Sequence, residues 1–374
     1  MKILNVYQKY LPDSHGGIEE SIRQITYSTS KLGVENHIFR LSGNANPAAY
    51  QLYGSEVFQA KAWLTLNSCS IGLFGAFNLY RKQLRWADLI HYHFPWPFAD
   101  VMHYFIRPNI PSILTYHSDV VDKGWLAELY KPLMLRMLGS VDSIVATSPN
   151  YLESSGVLQN IHAGRSSVIP LCIDESTYQG SVNKSKNINV YDKFNLDTGG
   201  YFLFIGALRE YKGLNTLIKT AKSSNHQIVI IGSGVNESYV RDQARGTSNL
   251  KYLGALDNID KIALIDGCIA LALPSDKRSE AFGVVLLEAS MRGKPMITCE
   301  LGTGTSYVNV SGVTGITITP QNHIELSKAM DVLHRDCGLR AQMGIAARKR
   351  YEKLFSGSET GRSYYDLYEE VLAR

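Results

Sequence analysis

Short apolar runs without charged interruptions alternate with amphipathic segments along most of this 374-residue chain. A strand buried on both faces of a parallel sheet has this continuous apolar pattern, whereas a half-exposed strand alternates. Amphipathic segments with helical periodicity, such as residues 18–33 and 214–224, separate the runs. The alternation predicts an α/β protein with doubly wound parallel sheets. The predicted strands cover residues 2–7, 37–42, 87–93, 111–117, 142–148, 201–207, 227–234, 250–256, 269–275, 295–300 and 315–320.

Chain length and one polar stretch predict two domains. Domains average roughly 150 residues, and residues 180–200 are polar with little periodicity, as expected for the end of a linker. We predict a Rossmann-like domain over residues 1–180, a second over 198–355, and a C-terminal helix over 356–374 that packs back toward the N-terminal domain. Parallel sheets bind ligands at the carboxyl ends of their strands, so we expect the two domains to face each other across a ligand-binding cleft.

Composition excludes several classes of protein. The net charge of +4 is too weak to indicate a nucleic-acid partner, and five scattered cysteines without CxxC indicate free thiols in a reducing compartment. The N-terminus lacks the apolar core and cleavage site of a signal peptide. Polar residues that include Asn67 and Ser68 interrupt the longest uncharged run, Ala62–Tyr80, which argues against a spanning helix. We therefore expect a cytoplasmic protein.

Two candidate ligand-binding positions follow predicted strands of the first domain. Gly17, preceded by another glycine, lies before a helix, where the backbone can approach a ligand and the helix N-terminus attracts an anion. An ordinary tight turn is the alternative. His117 is placed to donate to a ligand oxygen, with Asp119 nearby to orient it, although a histidine satisfied at a sheet edge fits equally. His91 and His93 end another strand, and we interpret both as structural.

A basic segment, GALREYKG, follows the first strand of the second domain. Arg209 and Lys212 lie there just before a predicted helix, and two cations beside a helix N-terminus can clamp a diphosphate. The segment is not a P-loop, because GxxxxGK[ST] is absent. If Arg209 and Lys212 did not lie between a strand and a helix start, we would interpret them as solvated surface cations.

Glu280 and Glu288 lie eight residues apart on either side of a predicted helix start. Glu288 falls within VVLLEAS, a segment that should be mostly buried, and a buried carboxylate requires hydrogen-bond partners. Ligand hydroxyl groups would supply such partners. Alternatively, Glu280 caps the helix and Glu288 pairs with a basic side chain.

The sequence contains no DxD, HExxH, GxSxG or GxGxxG motif. Their absence argues against a metal-bound phosphate site, a zinc hydrolase, an α/β-hydrolase and a plain nicotinamide dehydrogenase. We expect neither a metal nor a cofactor.

Together these motifs resemble family 4 of the retaining glycosyltransferases, which have the GT-B architecture. The resemblance covers nearly the whole chain, and its most specific part is Glu280 to Glu288, the family's E-x7-E motif, within LPSDKRSEAFGVVLLEASMRGKP. The glycine pair, the histidine after an N-domain strand and the basic segment share the family's order and spacing. The stretch ELGTGTSYVNVSGVTGI also resembles bacterial members that build O-antigen or other surface polysaccharides, many of them mannosyltransferases that use GDP-mannose.

The resemblance implies that Arg209 and Lys212 bind the donor diphosphate. The family often has an arginine directly after the strand glycine, where this chain has Ala207, and Arg209 would substitute from two residues on. Gly17 would lie near the donor phosphate and the acceptor. The backbone amides of residues 282–285, which include Phe282, Gly283 and Val284, would lie near the phosphates or the sugar.

For the rest of the donor, the resemblance implies that His117 reaches the transferred sugar. Glu280 would contact sugar hydroxyl groups and Glu288 the ribose. Negative charge develops on the diphosphate during transfer, so fixed cations would stabilise it without a metal. The resemblance suggests a same-face mechanism in which the leaving phosphate takes the acceptor proton.

The acceptor implied by the resemblance is a polyprenyl-linked saccharide. Apolar and aromatic residues at positions 63–77 precede the cations Arg81, Lys82 and Arg85. Such a combination favours peripheral contact with the inner face of an anionic membrane. A core position for the apolar residues is the alternative.

Three alternatives to a GDP-mannose-dependent transferase stay open. The same transfer from a UDP-sugar would use the same site. A UDP-sugar 2-epimerase of similar architecture would need acid and base carboxylates and no acceptor. A two-domain binding protein would usually be periplasmic and carry a signal peptide, which this sequence lacks.

Overall fold

Each predicted buried strand forms a strand in the computed structural model, which describes residues 1–66, 69–120, 125–160 and 163–374. The chain divides into two units, Met1–Cys172 with Gly357–Arg374 and Ile173–Ser356. Each unit has a sheet that is mainly or wholly parallel, with apolar side chains buried on both faces. This arrangement explains why the strands lack an alternating pattern.

The described part of the first unit has nine strands in one sheet, in the order β3-β4-β2-β1-β6-β7-β8-β9, with β5 paired to β4. All neighbouring pairs are parallel except β3-β4 and β4-β5. The strands are β1 (Lys2–Val6), β2 (Glu35–Ser42), β3 (Ala49–Leu52), β4 (Ser55–Leu66), β5 (Cys69–Gly72), β6 (Leu89–Phe94), β7 (Ser112–Tyr116), β8 (Ser143–Ala146) and β9 (Ser166–Val168). The helices that precede the second unit are α1 (Gly17–Ser30), α2 (Phe74–Leu84), α3 (Pro97–Ile106), α4 (Trp125–Ser140) and α5 (Pro149–Ser154).

The second unit has a six-stranded, wholly parallel sheet in the order β12-β11-β10-β13-β14-β15. This order, 3-2-1-4-5-6 within the unit, is that of a Rossmann fold. The strands are β10 (Tyr201–Ile205), β11 (Gln227–Ile231), β12 (Leu250–Tyr252), β13 (Ala270–Leu273), β14 (Met296–Cys299) and β15 (Gly315–Ile318). The helices are α6 (Gln179–Ser185), α7 (Val190–Phe194), α8 (Leu214–Ser223), α9 (Glu237–Arg245), α10 (Asn258–Gly267), α11 (Val284–Met291), α12 (Gly304–Val308), α13 (His323–Arg335) and α14 (Cys337–Leu354).

The boundary between the units lies earlier than the sequence predicted. The first unit ends at Cys172 rather than at residue 180, and the second begins at Ile173 rather than at 198. Residues 180–200, interpreted as the end of a linker, contain most of α6 and all of α7, and both helices contact α10. Their short helical segments carry too few apolar residues for periodicity to reveal them.

The C-terminal helix, α15 (Gly357–Leu372), belongs to the first unit and packs against α1. Tyr364 and Tyr368 are buried in a core cluster with Ile3, Ile25 and Leu89. Gly361 permits this packing, because a Cβ at that position would lie 2.8 Å from Ser28 Cβ.

The uncharged run Ala62–Tyr80 contains the end of β4, all of β5 and the start of α2. None of these elements was predicted from the sequence. Its interruptions at Asn67 and Ser68 lie outside the described residues. None of the described helices combines the length and the apolarity that crossing a membrane requires.

Candidate functional site

The strand ends of the second unit bring Lys212 and Glu280 together, although they are 68 residues apart. Both side chains are largely buried, and Lys212 Nζ forms an ion pair with Glu280 Oε2. Ser275 Oγ donates to the same carboxylate oxygen at 2.9 Å. β10 and β13 are neighbours in the sheet, so the segments that follow them meet at one edge.

Gly213 allows this close approach. Its φ angle is +73°, and a Cβ there would lie 1.9 Å from the carbonyl oxygen of Pro274. Any other residue would push the segment after β10 away from the end of β13. The glycine of the basic segment therefore positions Lys212 beside Ser275 and Glu280.

Opposing effects set the pKa of Lys212. Burial lowers the pKa of its ammonium group, but Glu280 and Tyr211 together outweigh burial, so the net pKa lies above its usual value. Lys212 therefore stays charged at neutral pH. Arg209 is exposed, and its positive charge acts on Lys212 in the lowering direction. The two predicted clamp cations thus lie near each other, one buried in an ion pair and the other at the surface.

Helix α11 begins between the two glutamates, as the sequence predicted. Gly283 is its N-cap residue with a φ angle of +80°, Val284 is its first residue, and Phe282 is buried just before it. The first N–H groups of a helix have no intrahelical acceptor, and the helix dipole adds partial positive charge at that end. Glu280 does not cap the helix, because Gly283 has no side-chain cap and Glu280 is bound by Lys212 and Ser275.

Glu288 is buried on α11 and pairs with protein groups. Lys261 Nζ lies 2.6 Å from Glu288 Oε1, and Tyr178 Oη donates to the same oxygen at 3.0 Å. The alternative of a basic partner for Glu288 is therefore realised. Within the described residues, Glu288 Oε2 accepts no hydrogen bond from protein, so one carboxylate oxygen is available to a ligand.

His117 in the first unit is buried, and the only hydrogen-bond partner of its side chain among the described residues is His93. His117 Nε2 lies 3.0 Å from His93 Nδ1, while His117 Nδ1 has no partner there. The expectation that Asp119 orients His117 is wrong: Asp119 Oδ1 accepts from Tyr116 and Ser155. Burial lowers the pKa of His117 to about 3, so the ring is neutral at physiological pH.

Gly17 is the exposed first residue of α1. Acidic residues already occupy this helix end. Glu19 Oε1 accepts from Ser14 at 2.5 Å, and Glu20 pairs with Arg23 at 2.6 Å. An anion at Gly17 would therefore meet two carboxylates in the first turn of the helix.

In the described ranges, no group of three or more His, Cys, Asp or Glu side chains is arranged to hold a metal ion. The five cysteines form no disulfide, and Cys172, Cys268 and Cys299 are buried. Burial raises the pKa of both Cys268 and Cys299 to about 12, so these two thiols stay protonated.

Two family models and a solved structure match this chain. The model described as "Glycosyltransferase Family 4" matches residues 15–177, and that described as "Glycosyl transferases group 1" matches residues 189–350. The solved structure of HepE from Anabaena with UDP-glucose aligns at a TM-score of 0.77 over 99% of this chain and 100% of that one, with 16% identity. The two doubly wound units and these matches define a glycosyltransferase of the GT-B fold.

Two relatives resemble this chain along nearly its whole length. The D-rhamnosyltransferase WbpZ of Pseudomonas aeruginosa is 39% identical over 95% of this chain and 92% of its own. The O-antigen chain mannosyltransferase C of Escherichia coli is 36% identical over 100% of this chain and 99% of its own. The chain belongs to glycosyltransferase family 4, as the E-x7-E motif indicated.

Sequence reasoning missed several residues that surround the predicted ones. Ser275 follows β13, and its place at a strand end was a signal that could have found it. Tyr178 and Lys261 lie 110 and 27 residues from Glu288 in the chain, and no local pattern connects them to it. His93 was interpreted as structural, but it contacts His117 directly.

Proposed function

We propose that this chain is a retaining glycosyltransferase that moves mannose from GDP-mannose to a polyprenyl-linked saccharide during O-antigen or other surface polysaccharide synthesis. One relative is a mannosyltransferase of the O-antigen chain, and the other transfers D-rhamnose. The UDP-glucose bound to HepE supports a nucleotide sugar as the donor class.

The observation that carries the proposal is the buried Lys212–Glu280 pair beside the start of α11. In the proposed reaction the bond between the anomeric carbon and the diphosphate oxygen breaks. Negative charge then grows on the diphosphate, where Lys212 and the N-terminus of α11 stabilise it. Arg209, exposed nearby, adds a second cation. Glu280 binds hydroxyl groups of the hexose and complements the positive charge that develops on its ring.

Glu288 holds the ribose in this proposal. Lys261 and Tyr178 both engage its Oε1 atom and fix the direction of the carboxylate. Its Oε2 atom then accepts hydrogen bonds from the ribose hydroxyl groups. Glu280 and Glu288 flank the start of α11, so the hexose and ribose of one donor would lie on either side of its diphosphate.

The proposed transfer proceeds on one face of the sugar. The leaving phosphate oxygen takes the proton of the acceptor hydroxyl, the acceptor oxygen forms the new bond to the anomeric carbon, and configuration is retained. Protein cations carry the diphosphate charge, so no metal is required. His117 contacts the transferred hexose, and residues near Gly17 lie toward the acceptor.

The proposal places the enzyme at the inner face of the cytoplasmic membrane. Trp63 is 64% exposed and Phe74 is 87% exposed, which excludes the core position considered as an alternative for these two residues. Phe74 and Arg81 are seven residues apart and share one face of α2, and Arg85, the C-cap residue eleven positions after Phe74, continues that face. We define the docking patch as the exposed residues Trp63, Leu64, Leu66, Leu73, Phe74, Arg81, Lys82 and Arg85. An apolar surface next to cations suits an anionic bilayer.

A cavity of about 310 Å³ adjoins this patch and suits a saccharide acceptor. Asp13, Arg40, Ser42 and Trp63 are among its lining residues, and Asp13 Oδ2 accepts from Arg40 and Ser42 at 2.7 Å each. Polar groups beside an aromatic face are the features that orient a sugar in a pocket. A lipid-linked acceptor would then have its saccharide in the cavity and its lipid near the docking patch.

A D-rhamnose donor is the second candidate, because the relative at 39% identity is a D-rhamnosyltransferase. Thermal shifts with GDP-mannose, GDP-D-rhamnose and UDP-glucose distinguish the donors, since a ligand that binds the native state raises the melting temperature. We expect the largest shift with GDP-mannose, and its turnover in the presence of a polyprenyl-linked acceptor. A larger shift and turnover with GDP-D-rhamnose would select the second candidate. Epimerisation of a UDP-sugar without an acceptor would refute both.

A further inference from the structure

Buried amide side chains of the first two strands fix the orientation of His93. Asn36 Nδ2 donates to Thr26 O at 3.2 Å and to Thr29 Oγ1 at 3.1 Å. Asn36 Oδ1 therefore accepts from Asn5 Nδ2, 3.1 Å away. With its Nδ2 engaged in this way, Asn5 presents its Oδ1 atom to His93.

The orientation of Asn5 determines which nitrogen of His93 carries the proton. His93 Nε2 lies 3.3 Å from Asn5 Oδ1, and an amide oxygen only accepts, so Nε2 is the donor. Burial, and after it the positive charge of a protonated His91 or His117, lowers the pKa of His93 well below its usual value. The neutral ring therefore has an unprotonated Nδ1. His117 Nε2, 3.0 Å from that atom, must be the donor of their hydrogen bond.

His117 is left with an unprotonated Nδ1 atom. Its neutral ring carries one proton, which lies on Nε2 and points to His93. Nδ1 is buried and accepts from no group in the described residues. An unsatisfied buried acceptor is costly, and such an atom in a native protein requires an explanation, which a ligand group that donates to it would supply.

We propose that Asn5 and His93 are positioning residues that hold His117 as its Nε2–H tautomer, so that Nδ1 accepts a hydrogen bond from a hydroxyl group of the transferred hexose. The inference rests on the proposed function, which brings His117 to the hexose. It reverses the donor role that the sequence suggested for His117. A fixed acceptor discriminates against a sugar that lacks the matching hydroxyl, because Nδ1 would then stay unpaired.

Nitrogen NMR of histidine-labelled protein tests the tautomer directly, because protonated and unprotonated ring nitrogens differ in chemical shift. The His117→Phe variant assigns the signals. We expect a protonated Nε2 and an unprotonated Nδ1 in the wild-type protein near neutral pH. In His93→Phe the acceptor for Nε2–H is lost, and we expect a mixture of tautomers. A protonated Nδ1 in wild type, or an unchanged tautomer in His93→Phe, would overturn the inference.

Steady-state kinetics test the functional consequence. We expect His93→Phe to lower kcat by about 10- to 100-fold, the loss typical when the partner that orients a metal-binding histidine is removed. His93→Asn keeps an acceptor close to the position of Nδ1 and should recover most of this loss. His91→Phe is the matched control, because His91 is equally buried on β6 but bonds to Tyr368 and Thr115. We expect its kcat to stay within about twofold of wild type, after correction for the folded fraction.

Failure of this inference is distinguishable from failure of the proposed function. A wild-type protein that transfers no sugar from any nucleotide sugar would refute the function. If the wild type is active, and activity falls in His117→Phe but not in His93→Phe, the positioning role of His93 is refuted while the proposed function stands. Equal losses of kcat in His93→Phe and His93→Asn would also overturn that positioning role, because the acceptor at Nδ1 would then be irrelevant.

Discussion

Lys261 Nζ on α10 lies 2.6 Å from Glu288 Oε1 on α11, and the two side chains form a largely buried ion pair. Lys261 also lies over the ring of Tyr178, whose hydroxyl group donates to the same carboxylate oxygen. A buried charge that loses its partner is strongly destabilising. The pair therefore fixes the carboxylate, and it also makes substitutions at Glu288 sensitive to folding.

Substitutions of the two glutamates of the E-x7-E motif should change different kinetic constants. Glu280→Gln should mainly lower kcat, because the proposed reaction places Glu280 beside the ring whose charge changes during transfer. Glu288→Gln should mainly raise the donor KM, because the ribose does not react. Initial rates against donor at saturating acceptor separate the two effects.

Tyr178→Phe is the control for Glu288, because it removes one hydrogen bond to Oε1 and keeps the carboxylate and its ion pair. We expect a smaller rise in KM than in Glu288→Gln. Melting curves for each variant identify any loss that comes from unfolding. A normal kcat in Glu280→Gln, or equal defects in both glutamate variants, would contradict the assigned geometry.

Lys212→Ala should remove charge stabilisation of the leaving diphosphate. Loss of a group of this kind costs on the order of 100- to 1000-fold in kcat. Arg209→Ala is the comparison, because Arg209 is exposed and its removal leaves the Lys212–Glu280 pair intact. A comparable loss in Arg209→Ala is expected if Arg209 replaces the arginine absent at Ala207, and near-normal kinetics would show that it does not bind the diphosphate.

Transferase activity should persist in excess EDTA. In the proposed site, Lys212, Arg209 and the N-terminus of α11 would supply the positive charge that a metal ion otherwise provides. The measurement compares rates before and after chelation, with added Mg²⁺ or Mn²⁺ as the control. A strict requirement for either ion would refute the role of these cations as the diphosphate clamp.

Charge and apolar surface should both contribute to membrane binding. Each Lys or Arg near an anionic surface contributes about 1 kcal/mol, so replacement of Arg81, Lys82 and Arg85 by Gln should weaken vesicle binding by about 100-fold. High salt should weaken wild-type binding as well. Phe74→Ser should reduce binding with less dependence on salt. If the wild-type protein does not bind phosphatidylglycerol vesicles at low salt, the docking patch is not a membrane-binding surface.

Asp100 should make the protein less stable as the pH rises. Burial raises the pKa of Asp100 from 3.8 to about 8, and Tyr130 donates a hydrogen bond to its carboxyl group. Between these two values the unfolded chain releases a proton that the native state keeps, so the free energy of unfolding falls with increasing pH. The slope is at most about 1.4 kcal/mol per pH unit.

The Asp100→Asn variant retains an acceptor for Tyr130 and removes the titration. We expect it to melt at a higher temperature than wild type at about pH 8 and at a similar temperature at about pH 4. Thermal melts across this range provide the measurement. An equal difference at both pH values would show that Asp100 does not titrate as its burial implies.

Local patterns in the sequence determined much of the architecture. The uninterrupted apolar runs determined the parallel strands, because a strand buried on both faces has no polar side. Glycine residues at turns are also local features of the sequence, and so is the position of Glu280 and Glu288 on either side of a helix start. These signals, together with the E-x7-E motif, were enough to indicate the family.

Partners that are distant in the chain were decided only by the tertiary structure. The Lys212–Glu280 pair forms because β10 and β13 are adjacent. The hydrogen-bonded chain of Asn5, His93 and His117 forms because β6 lies between β1 and β7. The sequence placed Lys212, Glu280, His93 and His117 near a strand or helix end, but it contains no signal for which ends become neighbours. That choice comes from the burial of whole sheet and helix faces, a property of the folded chain rather than of any one segment.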